Sequence, residues 1–568
     1  MSVSRVRSGH VAALAGVMLV VTAAAGQGAA PGPVRFTDAS KAAGIRFVHH
    51  SGAFGKKYLP ETMGSGCAFL DADGDGWQDA ILIDSTPWPG QKGPRTHPVL
   101  YRNRGDGTFE DVSGPAGLSN STIYGMGVTA ADYDNDGRTD IYITAVGPNH
   151  LFHNEGGGRF RDVTEHAGVG DPGFSTSAVF FDYDRDGFVD LFIVNYVEWS
   201  LAKDLFCTLD GTNKSYCTPE SYRGQSPTLY RNRGNGTFED VTARAGLHDP
   251  SSKALGVTIL DLDSDGWLDL FVANDTQPNK LYRNTGQGTF TDVGVPAGVA
   301  FSEDGVARAG MGVDAGDYDW SGHASLLIGN FANEMTGLYH NEGNGLFVDE
   351  APTSIVGQGT YLKLTFGCFF FDFDLDGWLD FLGVNGHLAD DIHNVQPQVA
   401  YAQSAHLFRN LGGKKFEDYS QRVGPDLIVP IVGRGGAYAD YDGDGDLDVL
   451  LTANNGPARL LRNDSRTGHH WLRVRAVGTR SNRDGVGARV SIRTAGGLQE
   501  WNLVRTGSSY CSQSELPITF GLGDDRRPVH LEVHWPSKVR DVIDGVAVDQ
   551  AVTVREGSGR AEPSKPRR

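Results

Sequence analysis

The sequence predicts an all-β protein: a seven-bladed β-propeller with acid-lined hairpin loops over residues 34–465, followed by a small β-sandwich-like domain over 468–556. Three observations predict it. An acidic nonapeptide recurs seven times along the chain. A Leu-aromatic-basic-Asn tetrad follows each copy, the last with Leu in the aromatic place. A Phe-x-Asp strand follows six of the seven tetrads, and a further copy stands alone near the N-terminus.

The nonapeptide is clearest at Asp132-Tyr133-Asp134-Asn135-Asp136-Gly137-Arg138-Thr139-Asp140, which reads D-x-D-x-D-G-x-x-D between a small-residue strand and an apolar one. Calcium takes six to eight hard oxygens at about 2.3–2.6 Å, and carboxylates at alternate loop positions converge on one point. Asp132, Asp134 and Asp136 would give side-chain oxygens and Arg138 a backbone carbonyl. Asp140 would close the shell, and Gly137 permits the turn. An EF-hand has a bidentate Glu at position 12 and flanking helices. Here the last acid is at position 9 and strands lie on both sides, so the element is a calcium-filled β-hairpin turn.

The set returns as Asp71, Asp73, Asp75, Asp79; Asp182, Asp184, Asp186, Asp190; and Asp261, Asp263, Asp265, Asp269. It returns again as Asp372, Asp374, Asp376, Asp380 and as Asp440, Asp442, Asp444, Asp448. The fifth repeat keeps Asp317 and Asp319 but has Ser321 and Ser325 in place of two acids. About six calcium sites are expected, with the fifth repeat short of donors.

Composition agrees. There are 76 glycines, 39% of residues are apolar, and no long amphipathic helix pattern stands out, which favours turn-rich β structure. At 568 residues the chain exceeds one ordinary core. A net charge of −20 argues against nucleic acid or an anionic membrane as partner. The seven loops hold 26 of the 70 acidic residues, four in each of six loops and two in the fifth.

Taken in order, the chain opens with Arg5 and Arg7, then fifteen mostly apolar residues ending Ala23-Ala24-Ala25, a signal peptide over 1–25. That run is short of the roughly twenty residues of a membrane span. The mature chain is expected to be secreted or periplasmic, without a transmembrane segment, where disulfides survive. Next comes the lone Phe36-Thr37-Asp38. Each repeat then has a strand into the loop, a strand out of it, a third ending in the tetrad, and a fourth marked Phe-x-Asp. If the strand at Phe36 completes the last blade, the ring closes and only short sheet edges remain. Loop starts lie 50 to 79 residues apart, longer than the roughly 40–45 of a minimal repeat, so several blades carry insertions. In an up-and-down meander the acidic loops and Gly-rich turns share one face. The insertions 84–98, 195–227 and 385–405, and the stretch 45–64, occupy the other. Binding residues concentrate on loops held by a rigid scaffold, so the face without calcium is the expected functional surface.

Beyond residue 468 the repeat stops, and short alternating strands are expected at 471–476, 489–493, 501–504, 529–535 and 552–555, with a disordered tail over 557–568. The chain resembles secreted proteins, cartilage acidic proteins among them, that join FG-GAP (VCBS) repeats to a C-terminal ASPIC/UnbV domain, with a propeller like that of integrin α subunits. The resemblance is carried by Gly485-Val486-Gly487-Ala488-Arg489, Ser512-Gln513-Ser514, Phe520-Gly521-Leu522-Gly523 and Val533-His534-Trp535-Pro536-Ser537. Within the repeats it is carried by Asn274-Asp275, Asn385-Gly386-His387 and Gly433-Arg434-Gly435. It implies a calcium-binding propeller in adhesion or recognition and no particular reaction.

Cys207 and Cys217 fall in the largest insertion, where a disulfide would constrain a loop with little core by about 2–3 kcal/mol. Cys67 and Cys368 read as small buried hydrophobes, and Cys511 has no evident role. His49, His50 and Glu61, with His387, Asp390, Asp391 and His393, lie on the expected binding face. They read as loop hydrogen bonding, with a transition-metal or acid–base centre as the sharper alternative. Gly168-x-Gly170-x-x-Gly173 matches a dinucleotide fingerprint without the strand-to-helix turn it needs. H-E-x-x-H, C-x-x-C, G-x-S-x-G and P-loop patterns are absent from the sequence. The reading is a monomeric, non-enzymatic recognition or adhesion module for protein or glycan. The rival is a polysaccharide-acting enzyme with its site at the ring axis, and a third reading is an architectural role at the cell surface.

Overall fold

The computed structural model describes residues 34–208 and 211–564. The signal peptide expected at 1–25 lies outside the described residues.

Seven four-stranded antiparallel sheets follow one another along the chain. Blade 1 is Cys67–Leu70, Asp79–Leu82, Val99–Asn103 and Phe109–Asp111, and blade 2 is Gly125–Ala131, Asp140–Ala145, His150–Asn154 and Phe160–Asp162. Blades 3 to 6 repeat the plan from Ser175–Phe181, Ala254–Leu260, Val313–Gly316 and Thr365–Phe371. Blade 7 takes Gly433–Ala439, Asp448–Ala453 and Arg459–Asn463 from its own stretch and its fourth strand from Phe36–Asp38. The register explains why that distant strand fits. Asn103 faces Phe109, Asn154 faces Phe160 and Asn232 faces Phe238; in blade 7, Asn463 faces Phe36. The first strands of successive blades are neighbours in cyclic order, and that of blade 7 meets that of blade 1, so the ring is closed. Buried side chains of adjacent blades form the core: Leu70 and Ile81 pack with Val128 and Ile143, and Phe69 and Leu82 with Ala437 and Leu450.

The C-terminal domain is a two-sheet sandwich. One sheet orders Ile518–Gly523, His470–Val477, Gln550–Arg555 and Ala561–Pro563; the other orders Gln499–Leu503, Arg489–Arg493, Val529–His534 and Arg540–Val546. Leu472, Val474, Val490, Ile492, Leu531, Val533 and Val554 bury its core. The tail expected to be disordered from 557 instead adds the edge strand Ala561–Pro563, with Ala561 opposite Val554.

This domain sits on the face of the ring that carries the acidic loops. His469 meets the carbonyl of Asp374, and the amide of Gly523 donates to Leu375 O at 2.9 Å. The amide of Asp132 donates to Asp484 Oδ2 at 2.7 Å. Trp501 Nε1 donates to Asp317 Oδ2 at 2.7 Å, and the amide of Arg483 to Asn135 Oδ1 at 2.8 Å.

From the sandwich, residues 504–516 run down the axis of the ring. Cys511 O accepts from Val128 N, Cys511 N donates to Ser177 Oγ, and Gln513 brackets Thr129 and Ala130. Tyr510 reaches the far side, where its hydroxyl donates to Met63 O at 2.9 Å. One glycine series makes room. Gly66, Gly127, Gly256, Gly312, Gly367 and Gly435 each stand five residues before the first Asp of a loop, and Ser177 holds that place in blade 3. A Cβ on Gly66 would collide with Cys511 O, and one on Gly127 would lie 2.9 Å from Cys511 Cβ.

Candidate functional site

Each acidic loop is held by hydrogen bonds that the repeat itself supplies. The sixth position has positive φ (+89° at Gly137, +90° at Gly377), a conformation that costs an L side chain dearly. From there its amide donates to the first Asp: Gly137 to Asp132 Oδ2 at 2.7 Å, and Gly377 to Asp372 Oδ2 at 2.8 Å. The ninth-position Asp accepts twice, in blade 3 from Tyr183 N at 3.1 Å and from Asn232 N at 2.7 Å.

That asparagine, the last residue of the tetrad, has a role that sequence reasoning missed. Its Nδ2 crosses to the preceding blade and donates to the carbonyl after the first Asp of that loop. Asn154 reaches Ala72 O, Asn232 reaches Tyr133 O, Asn284 reaches Tyr183 O, Asn410 reaches Tyr318 O and Asn463 reaches Phe373 O. Asn103 joins blade 1 to Tyr441 O of blade 7 at 2.7 Å, whereas Asn341 of blade 5 donates to Ala324 O of its own blade. The signal was the Asn that ends the tetrad in all seven repeats.

The carboxylates converge. Ligand-capable atoms of Asp71, Asp73 and Asp79 lie within 4.8 Å of one another, as do those of Asp132, Asp134 and Asp136 and those of Asp182, Asp184 and Asp190. Asp261, Asp263 and Asp265 do the same, and in blade 2 His153 joins Asp134 and Asp140. Burial, and then the neighbouring carboxylates, push these acids up without a cation: Asp132 to about 8, Asp182 to about 7, Asp261 to about 6 and Asp269 to about 8. The tetrad's basic residue leans over the loop as partial compensation. Arg231 meets Asp184 at 2.6 Å, Arg409 meets Asp374 at 2.7 Å, and His340 meets Asp319 at 2.8 Å.

The residues fit a hard divalent cation. Asp184 Oδ1, Asp261 Oδ1, Asp374 Oδ1 and Asp442 Oδ1 are buried without a hydrogen-bond partner, which is costly unless something else meets them. An oxygen-only donor set of this kind suits calcium or magnesium rather than a transition metal. In the fifth repeat Ser325 Oγ takes the place of the ninth carboxylate in receiving Asn341 N, so the turn keeps its shape with fewer charges.

On the opposite face the insertions meet. Tyr58, Trp88 and Trp199 pack edge to face or tilted at 5.2–5.7 Å, and Trp88 stacks on Tyr124 at 4.1 Å. Lys57 pairs with Asp390 at 2.8 Å, tying the stretch before blade 1 to the blade 6 insertion. Cys207 and Cys217 form the expected disulfide. Of the other cysteines, Cys67 and Cys368 are buried, and Cys511 is buried in the axis.

The histidines and acids singled out on this face do not make one centre. Buried His49 accepts from Asn455 N at 2.9 Å, and burial pushes it down to about 3. His50 pairs with Asp84 at 3.0 Å. His387 Nδ1 accepts from Ala389 N at 3.1 Å, and burial takes it down to about 4. His393 lies in the short turn Ile392–Asn394 that Asp391 precedes. Glu61 accepts from Trp88 Nε1 at 3.2 Å, and burial pushes it up to about 7. Among the described residues, no hydrogen bond or ion pair joins His49, Glu61 and His387. Between them lies Arg434, wholly buried, donating to Thr62 O at 2.7 Å and to Gly386 O at 3.1 Å, its guanidinium 4.0 Å from the Phe366 ring centre.

Fold and loops together define a class: an all-β repeat ring with acid-lined hairpins, covered on that face by a C-terminal sandwich. Residues 71–143, 132–193, 203–272 and 261–328 match the FG-GAP-like repeat family, and residues 478–561 match ASPIC and UnbV. Cartilage acidic protein 1 of Mus musculus is 27% identical over 528 residues, covering 88% of this chain and 73% of that protein. The Homo sapiens protein of that name is 27% identical over 508 residues, covering 84% and 69%. The chain belongs to the family that joins FG-GAP repeats to a C-terminal ASPIC/UnbV domain. Among solved structures, BBS1N in complex with ARL6DN aligns with a TM-score of 0.41 at 9% identity, over 75% of this chain and 96% of that one. An Agrocybe aegerita lectin that recognises non-reducing terminal N-acetylglucosamine aligns at 0.37 and 16% identity, over 69% and 87%.

Proposed function

We propose that this is a secreted, calcium-loaded recognition or adhesion module that binds a protein or glycan ligand through the face opposite the acidic loops. Calcium is structural in this reading: each loop gathers carboxylates whose repulsion in a low-dielectric turn the tetrad's basic residue offsets only in part. The carrying observation is the division of surfaces. The C-terminal domain covers the loop face, and residues 504–516 fill the axis, so both are committed to contacts within the chain. The insertions that lengthen the repeats converge on the opposite face. There large apolar side chains stay in solvent, with Phe206 66%, Val395 56% and Leu201 40% exposed. Exposed apolar groups rimmed by charge are a usual mark of an interaction surface. No helix among the described residues is long and apolar enough to cross a membrane.

The test is a glycan and extracellular-protein array probed with the calcium-loaded chain, followed by titration of each hit. Phe206→Asp and Val395→Asp should lower affinity at least tenfold, while Asp544→Asn on the C-terminal domain should leave it unchanged. Equal binding by all three would overturn the assignment of the face.

A further inference from the structure

The C-terminal domain brings carboxylates of its own to a surface that is already acidic. Glu500, on the strand Gln499–Leu503, points its Oε1 at the blade 6 loop, 2.8 Å from where a Cβ of Gly377 would stand. That oxygen is buried and has no hydrogen-bond partner. The acids facing it are Asp372 and Asp376 of blade 6 and Asp317 of blade 5. Within the same loop Asp374, 2% exposed, leaves its Oδ1 buried and unpartnered as well.

Backbone contacts fix how closely the domain approaches this loop. The amide of Gly523 holds Leu375 O at 2.9 Å, and a Cβ on Gly521 would collide with Asp372 Oδ2. Of the cationic groups around these acids, Arg409 already meets Asp374 at 2.7 Å and Asp376 at 3.0 Å, Arg489 lies by Asp317, and His469 is held on the carbonyl of Asp374. Two buried oxygens without hydrogen-bond partners, one from each domain, therefore belong to the same acidic loop and its cover. Unpaired buried charge of that kind is strongly unfavourable.

We propose that Glu500 is an interdomain ligand to the divalent cation of the blade 6 loop, bound directly or through one water, and that this shared ion fastens the C-terminal domain and its axial segment to the ring. The idea rests on the calcium reading above and adds to it one residue and one consequence. Occupancy of a single loop sets how firmly the domain is docked.

The experiment compares the full chain with Glu500→Gln, which keeps size and removes charge, and with Glu239→Gln on the exposed edge of blade 3. Calcium is titrated calorimetrically, and amide exchange of residues 508–514 is followed in calcium and in excess chelator. In the parent chain these amides should be protected in calcium and exchange faster in chelator. Glu500→Gln should weaken one site at least tenfold and release those amides at lower chelator, yet raise the melting temperature of the metal-free chain, because a like charge is gone. Glu239→Gln should match the parent. If the parent takes up no calcium, the calcium reading itself fails. If the parent binds but Glu500→Gln binds equally and exchanges alike, only the Glu500 assignment is overturned.

Discussion

Asn463 stands opposite Phe36 in the register that pairs Asn103 with Phe109 within one blade, so the last sheet is finished by the first strand of the described residues. Phe36 is fully buried against Phe373, with ring centres 6.3 Å apart. Phe36→Ala should cost about 3–5 kcal/mol, the usual range for emptying a buried aromatic site. Urea unfolding with and without the substitution measures it; a loss under about 1 kcal/mol would mean that the ring does not need this strand.

The tetrad asparagines join neighbouring blades through the carbonyls of the acidic loops. In Asn232→Ala, Tyr133 O and Val189 O each lose a buried donor. The expected cost is about 1–3 kcal/mol per orphaned group at most, and the same change at Asn341 should cost less. The reason is that Asn341 bonds only Ala324 O of its own blade among the described carbonyls. Comparing the two midpoints by thermal melting checks the ordering.

Arg505 of the axial segment pairs with Asp314 of blade 5 at 2.8 Å, and Asp314 is wholly buried. Removing one partner leaves an uncompensated charge, so Asp314→Ala should destabilise by about 3–5 kcal/mol. The double change Asp314→Ala with Arg505→Met should recover most of that loss. A double-mutant cycle on unfolding free energies decides it, and additive effects would contradict the pairing.

Acidity and calcium should be linked with a definite sign. The folded values of Asp182 (about 7), Asp269 (about 8) and Asp374 (about 6) lie above the roughly 3.9 of an unfolded Asp. The metal-free chain thus binds more protons folded than unfolded. Its stability is greatest below about pH 4 on this account and declines as the pH rises through the folded values. Calcium bound as proposed would displace those protons, so the gap in melting temperature between calcium and chelator should widen from pH 5 to pH 8. A gap that narrows with pH would count against carboxylate ligation.

Much of this was legible because it repeats. The acidic nonapeptide, the tetrad and the Phe-x-Asp strand recur in one order, the Phe always six residues after the tetrad's Asn, and one misplaced copy at Phe36 sufficed to predict closure. The placement of the C-terminal domain was not legible, since Asp484, Glu500, Trp501 and Gly521 follow no spacing and act only through partners hundreds of residues away. The glycines five residues before six of the loops were a readable sign that some backbone must come close there. They could not say that it would be residues 508–513. The strand Arg540–Val546 also escaped, its pattern diluted by Asp541, Asp544 and Gly545.

The glycine-lined bore has a consequence for how the protein can be made. A ribosome finishes the hoop when residues near 463 appear and meet the waiting strand at Phe36, yet its stopper is still unmade. For a further stretch of synthesis the hole stands open, walled by bare peptide groups that only residues 504–516 are shaped to satisfy. A chain halted at 465 would keep that hole, and water would have to take the stopper's place.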